Sequence, residues 1–130
     1  MSYHVFYNPN PKGRKYTGDC SVRALCGATG MTWDEAYIEL MNFGLKEKDM
    51  PNMCSCYTKY LEKSGKFRKI VIKITRGEPR LTVKKFCELN PRGTFIVTPA
   101  NHFQCIKDGK YYDLAPGWES KSIYKCWEKI

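Results

Sequence analysis

Three residues of types that act together in thiol chemistry occur in this chain: Cys20, His102 and Asp113. Cys20 follows a loop-forming segment and opens a predicted helix, where the partial positive charge of the helix end favours the reactive thiolate. A neighbouring imidazole would take up the thiol proton, and a carboxylate would hold the ring in one tautomer. These residue types predict acyl transfer, with Cys20 as nucleophile, His102 as base and Asp113 as orienting carboxylate.

A predicted hairpin brings His102 and Asp113 together. The dipeptide Asp108-Gly109 is a strong two-residue turn signal between two strands. With this turn, Gln104 faces Asp113 across the strands, and His102 lies diagonal to Asp113 on the same face of the sheet. The register therefore predicts a hydrogen bond between the imidazole and the carboxylate. A one-residue bulge in the turn would place them on opposite faces.

The elements that must position these residues are predicted to be helices first and a mostly antiparallel sheet afterwards, an α+β arrangement in a single domain over 1–130. Apolar periodicity, caps and breakers predict helices over 20–29, 32–44, 52–64 and 82–89, and strands over 67–74, 93–98, 101–106 and 110–114. Asp19 is expected to cap the first helix through its side chain. The second helix is expected to pack one face on the core: Trp33, Ala36, Tyr37, Leu40 and Met41.

Two segments carry a resemblance to the papain-like cysteine peptidases, the C39-like bacterial peptidases in particular. The family's nucleophile helix resembles Gly18-Asp19-Cys20-Ser21-Val22-Arg23-Ala24-Leu25, and its histidine strand, tight turn and aspartate strand are similar to residues 101–117. The order Asn-Pro-Asn-Pro, Gly-Asp-Cys and Asn-His also resembles small phage and prophage papain-like proteins of unassigned function. The resemblance implies a papain-like fold and a cysteine peptidase or related thiol hydrolase that acts on a peptide or protein without a cofactor.

The chain departs from this family in the segment before the nucleophile. The family usually stabilises the oxyanion with a glutamine there, whereas the only glutamine of this chain is Gln104. Asn8 and Asn10 are the candidate oxyanion donors instead, beside the backbone amide of Cys20. Both precede a proline and are equally well explained as turn residues. Loss of one oxyanion donor costs about two to three orders of magnitude in rate, so an inactive member of the fold is a second hypothesis.

Most of the formal net charge of +9 is concentrated in residues 59–85, where ten Lys and Arg stand against two Glu, a net of +8. Such a segment attracts an acidic protein, a nucleotide or nucleic acid, although a face of solvated lysines is the commoner outcome. Nucleic acid is not the expected partner, because no stacking platform or groove-reading helix accompanies the charge. The alternative to an enzyme is thus a catalytically inactive papain-like protein that binds an acidic partner, nucleic acid or nucleotide on this basic face.

The other features of the sequence narrow the classes of protein further. Seven cysteines are an odd number, and the single close pair, Cys54-Ser55-Cys56, lacks the Cys-x-x-Cys spacing of a zinc site, so we expect free thiols and no metal. Among them only Cys20 is predicted at a helix start. The longest aliphatic run, 70–72, is too short to cross a membrane. Residues 1–8 show no basic run followed by an apolar core, so a signal peptide is not expected. We expect a cytoplasmic protein, in the host cytoplasm if phage-encoded, and the sequence leaves the oligomeric state open.

Overall fold

The structure is a computed structural model that describes residues 2–130, and these residues form an α+β fold with four helices and six strands. The helices are α1 (Cys20–Thr29), α2 (Trp33–Glu47), α3 (Cys54–Lys63) and α4 (Val83–Leu89). The strands are β1 (His4–Phe6), β2 (Phe67–Ile70), β3 (Thr94–Thr98), β4 (Gln104–Lys107), β5 (Lys110–Asp113) and β6 (Lys125–Lys129). Among the helices of residues 2–130, none combines the length and the apolar character needed to cross a bilayer.

The strands form one mixed sheet in the order β1-β5-β4-β3-β6-β2. Only β1 and β5 pair in parallel, and the remaining neighbours are antiparallel, as the sequence predicts. Strands β1 and β6 were not predicted. Strand β1 has only three residues. Strand β6 lies inside the sheet because it pairs on one side with β3 and on the other with β2, which are distant from it in sequence. Its position in the sheet therefore depends on tertiary pairing.

The strand predicted over 67–74 is shorter in the structure and ends at Ile70. The reason is its partner strand. Ile70 pairs with Cys126, and β6 begins one residue earlier, at Lys125, which already pairs with Thr98 of β3. Beyond Ile70 only Lys125 of β6 remains, so the ladder ends here and the alternating pattern of residues 71–74 does not form a strand.

The two faces of the sheet are covered by different helices. Helices α1, α2 and α3 enclose a cluster that includes Leu25 and Leu61 with Ile96 and Trp127 of the sheet. Helix α4 covers the opposite face, where Val97 belongs to a second cluster. Ile96 and Val97 alternate between the clusters because successive side chains of a strand point to opposite faces. In the layer formed by α1, α2 and α3, the start of α1 lies at the edge of the β4–β5 hairpin.

The buried face of α2 is narrower than predicted. Ala36, Leu40 and Gly44 are buried, at a spacing of four residues, whereas Tyr37 and Met41 are exposed. Residues four apart lie almost above one another on a helix, so they form a thin stripe. The predicted packing of Tyr37 and Met41 on the core is wrong, and both side chains line a surface cavity instead.

Candidate active site

The β4–β5 hairpin has the register that the turn sequence predicts. Ile106 pairs with Tyr111, and Lys107 with Lys110, so Asp108-Gly109 form a two-residue turn without a bulge. Asp108 has φ of 49° and Gly109 has φ of 76°, both in the left-handed region, as a type I′ turn requires. This turn determines which side chains of the two strands share a face.

The predicted hydrogen bond between His102 and Asp113 is present. Nε2 of His102 lies 2.6 Å from Oδ2 of Asp113, and the two side chains are 12% and 6% exposed. Asp113 ends β5, while His102 precedes β4 in a turn in which its backbone N–H donates to Pro99 O at 3.2 Å. The imidazole is therefore held at the sheet edge by its own backbone and by a buried carboxylate.

Asp113 accepts hydrogen bonds from two further donors. Gln104 Nε2 donates to Oδ2 at 2.8 Å, and the Leu114 amide donates to Oδ1 at 2.7 Å. Burial by itself would raise the pKa of Asp113, but His102, with Gln104 and Leu114, brings it below its usual value. Gln104 is almost fully buried. It was not predicted as a site residue, although the hairpin register had already placed it opposite Asp113.

Cys20 is the first residue of α1, half-buried and beside the His102 ring. Burial would raise the pKa of its thiol, but hydrogen bonding to His102 and to the Phe103 backbone, with the charge of Arg23, lowers the pKa below the usual value. Burial would likewise lower the pKa of His102, yet Asp113 and Cys20 raise it to about 9. Between these two pKa values the pair is a thiolate and an imidazolium. Because Nε2 faces Asp113, Nδ1 is the ring nitrogen left for the sulfur.

Trp118 covers one face of the His102 imidazole. Its ring stacks on that of His102, with centroids 4.2 Å apart and planes inclined by 12°. An indole in this position restricts rotation of the imidazole and keeps water from the hydrogen bond to Asp113. The sequence offered only a general signal for Trp118, an aromatic residue shortly after a candidate aspartate, and did not connect it to His102.

Asp19 does not cap α1 through its side chain, in contrast to the prediction. Its buried carboxylate forms an ion pair with Arg23 and accepts a hydrogen bond from Trp33 Nε1 at 2.9 Å. These contacts draw the carboxylate away from the free amides of the first turn. Asp19 thus ties the start of α1, and with it Cys20, to α2.

Cys54 also begins a helix, because α3 starts two residues later than predicted. A helix start is therefore not unique to Cys20, contrary to the prediction. Cys54 is exposed, whereas Cys20 is half-buried with His102 and Phe103 around its sulfur. The neighbouring imidazole, rather than the helix end alone, distinguishes Cys20 from the other thiols.

Asn8 and Asn10 make hydrogen bonds within the loop that precedes α1. Asn8 Nδ2 donates to Arg14 O at 3.3 Å, and its Oδ1 accepts from the Asn10 amide at 3.1 Å. Oδ1 of Asn10 accepts from the Lys12 amide at 2.9 Å. Both side chains thus stabilise turns in this loop. An oxyanion role for Asn8 or Asn10 stays a prediction.

A cavity of about 640 Å³ adjoins the start of α1. Asp19 and Ser21, on either side of Cys20, line it. Its apolar wall includes Trp33 and Tyr37, whose rings stack with centroids 5.0 Å apart, and Met41. The volume and the mostly apolar lining are typical of ligand pockets. Neither Cys20 nor His102 belongs to its lining, so the cavity lies beside the start of α1 and not at the thiol itself.

No family model matches this chain, and comparison with curated proteins and with solved structures found no match. What the site can do is therefore argued from its own geometry. That geometry comprises a thiol at a helix start, an imidazole beside it and a carboxylate behind the imidazole.

Proposed function

We propose that the chain is a papain-like cysteine peptidase of the C39-like type, or a hydrolase that applies the same thiol chemistry to a related acyl substrate. The observation that carries the proposal is the His102 ring, hydrogen bonded to Asp113 at 2.6 Å and adjacent to the Cys20 thiol. The lowered pKa of Cys20 and the raised pKa of His102 both favour a thiolate–imidazolium pair. A reactive cysteine requires this ionised state.

The proposed reaction has two halves, acylation of Cys20 and hydrolysis of the resulting thioester, and each member of the triad acts in both. The Cys20 thiolate attacks the substrate carbonyl carbon, and the His102 imidazolium gives its proton to the leaving amine as the carbon–nitrogen bond breaks. Water, deprotonated by the now neutral His102, then attacks the thioester and releases the acid and the thiolate. Asp113 holds the ring and stabilises its charged form.

The negative oxygen of the tetrahedral intermediate needs donors near Cys20. The first helical hydrogen bond of α1 runs from the Arg23 amide to Asp19 O at 2.9 Å, so the amides of Cys20, Ser21 and Val22 lie at the free end of the helix. The Cys20 amide is the donor that we assign to the oxyanion.

Brief alkylation with iodoacetamide near pH 7, followed by peptide mass spectrometry, tests this proposal. We expect Cys20 to be modified first among the seven cysteines, because its lowered pKa supplies thiolate at that pH. Cys54 is the matched control, since it also begins a helix and is more exposed. Accessibility alone would therefore favour Cys54.

Faster labelling of Cys54, or slow labelling of all seven thiols, would contradict the assignment of Cys20 as the nucleophile. The alternative would then be preferred: a papain-like protein without catalytic activity that binds an acidic partner. Labelling that is fast in the wild-type protein and slow in His102→Gln would support the enzyme, because the variant loses the base without exposing the sulfur to a new charge.

A further inference from the structure

The basic segment 59–85 divides into a neutralised part and a free part. The first four of its ten cations are in salt bridges with carboxylates outside the segment: Lys59 and Lys63 with Glu47, Lys66 with Glu39, and Arg68 with Glu128. Among residues 2–130, the other six have no salt-bridge partner: Lys69, Lys73, Arg76, Arg80, Lys84 and Lys85. Residues 69–85 contain one carboxylate, Glu78, which leaves a net charge of +5. The unneutralised charge therefore lies at the end of β2, in the loop that follows and at the start of α4.

A second cavity, of about 750 Å³, opens among these free cations. Lys73, Arg80 and Lys85 line it, and all three side chains are exposed. The only carboxylate in its lining is Glu128, which already pairs with Arg68. The cavity lies between residues 70–73, residues 79–82 and α4. Its electrostatic field favours an anionic ligand.

The same cavity has an apolar surface. Val71 is 84% exposed and Leu89 is 61% exposed, and both belong to its lining. Exposed apolar area of this kind becomes favourable to bury, at about 25 cal/mol per Å², when a partner covers it. The cavity therefore offers two kinds of contact at once, cationic and aliphatic.

The lining offers no aromatic surface on which a base could stack. Phe86 and Phe95 are buried and pack edge to face against each other, with centroids 5.0 Å apart. Tyr124 is 48% exposed but lies outside the lining, and the Arg80 guanidinium occupies one face of its ring at 4.9 Å. Binding of single strands relies on aromatic stacking, so the observations favour a peptide over a nucleic acid.

We propose that this cavity binds a short acidic segment of a partner protein, in which carboxylates meet Lys73, Arg80 and Lys85 while aliphatic side chains cover Val71 and Leu89. The site is on the α4 side of the sheet, whereas Cys20 belongs to the opposite layer. The proposal stands whether or not Cys20 is a nucleophile.

Selection of peptides from a random 12-residue display library on the full-length protein tests the proposal. The library is first depleted of peptides that bind the bare support, the enriched peptides are synthesised, and their affinities are measured for the wild type and for the triple variant K73E/R80E/K85E. We expect sequences in which Asp and Glu alternate with Val, Ile or Leu. Their affinity should fall at least about tenfold in the triple variant, because like charges then face each other.

A control variant with the same change of net charge, K12E/K15E/K46E, replaces exposed lysines of the loop before α1 and of α2. It should alter the affinity by less than about twofold at moderate salt, where charges remote from the cavity are screened. Val71→Ser, which leaves the charge intact, should also weaken binding. Circular dichroism establishes that each variant is folded, and the neutral K73Q/R80Q/K85Q variant replaces the charge reversal if that protein is not.

Three results would overturn the proposal. One is the absence of enriched peptides, or enrichment without an acidic bias. Another is an equal loss of affinity in the control and in the cavity variant, which would mean attraction by net charge alone. The third is binding of a single-stranded RNA or DNA oligonucleotide at this cavity more tightly than any selected peptide.

Discussion

Asp113 shows how much the chemistry of one side chain depends on its donors. Oδ2 accepts from His102 and Gln104, and Oδ1 accepts from the Leu114 amide. An amide side chain has a single oxygen and an NH₂ group, so it cannot accept from all three donors. A carboxylate is required here for hydrogen bonding as well as for charge.

Asp113→Asn is therefore expected to lower stability and reactivity together. One buried donor loses its acceptor, which should reduce the free energy of unfolding by about 1–3 kcal/mol. Loss of the carboxylate charge should also lower the pKa of His102 from about 9 and slow thiol-dependent turnover by about 10²-fold or more. Urea denaturation measures the first effect, and an NMR titration of His102 measures the second.

Asp108→Asn is the matched control for this substitution. Asp108 is exposed, and asparagine suits the first position of its type I′ turn. Its Oδ1 accepts one hydrogen bond, from Gly93 N, which asparagine can also accept. Equal effects of the two substitutions on stability and on the pKa of His102 would contradict the role given to Asp113.

At the scale of elements, the start of α1 depends on a contact with α2. The Asp19 carboxylate joins Arg23 of its own helix to Trp33, the first residue of α2. Because Asp19 precedes Cys20 directly, this contact determines where the thiol lies relative to the β4–β5 hairpin. The hydrogen bond between two helices thus contributes to the geometry of a site that neither helix completes alone.

Trp33→Phe tests this contact, because it keeps an aromatic ring and removes the Nε1 donor. Hydrogen bonds to charged groups contribute about 1.5–3 kcal/mol, and the half-buried Trp33 should give a loss near the lower end of that range in urea denaturation. Tyr37→Phe is the control, since it keeps the stacked ring and removes an exposed hydroxyl. It should change the free energy of unfolding by less than about 0.5 kcal/mol. Equal effects of the two substitutions would mean that the hydrogen bond to Asp19 contributes nothing.

At the scale of the whole molecule, the shifted pKa values of His102 and Cys20 link folding to pH with opposite signs. The pKa of His102 is raised from 6.5 to about 9, so its contribution to stability is present below 6.5 and is lost as pH rises through 9. The pKa of Cys20 is lowered, so its contribution is present above the pKa of a free thiol and is lost as pH falls through the folded value. Between these limits the two effects oppose each other.

Cys20→Ala removes the second effect and leaves the part of the first that comes from Asp113. The free energy of unfolding of this variant should decline more steeply than that of the wild-type protein as pH rises from 6.5 towards about 9. Denaturant titrations at several pH values measure the slopes. Parallel curves for Cys20→Ala and the wild type would show that the thiol has no lowered pKa in the folded chain.

The sequence by itself determined the features that depend on neighbouring residues. The Asp108-Gly109 turn and the two-residue period of the strands predicted the hairpin register and the contact of His102 with Asp113, and the structure has both. His102 itself lies in the turn before β4 and not on the predicted strand over 101–106. Breakers and caps likewise predicted the start of α1 at Cys20. Turn chemistry and strand alternation act over a few residues, so they can be read along the chain.

Only the tertiary structure decided what depends on residues distant in sequence. It brought Cys20 beside His102, placed Trp118 on the imidazole and gave Asp19 a partner in α2 instead of a cap. It also inserted β6 between β3 and β2 and divided the cations of 59–85 into paired and free groups. Each outcome depends on how helices and sheet pack around the common core, and local propensity carries no information about which distant surface a side chain will meet.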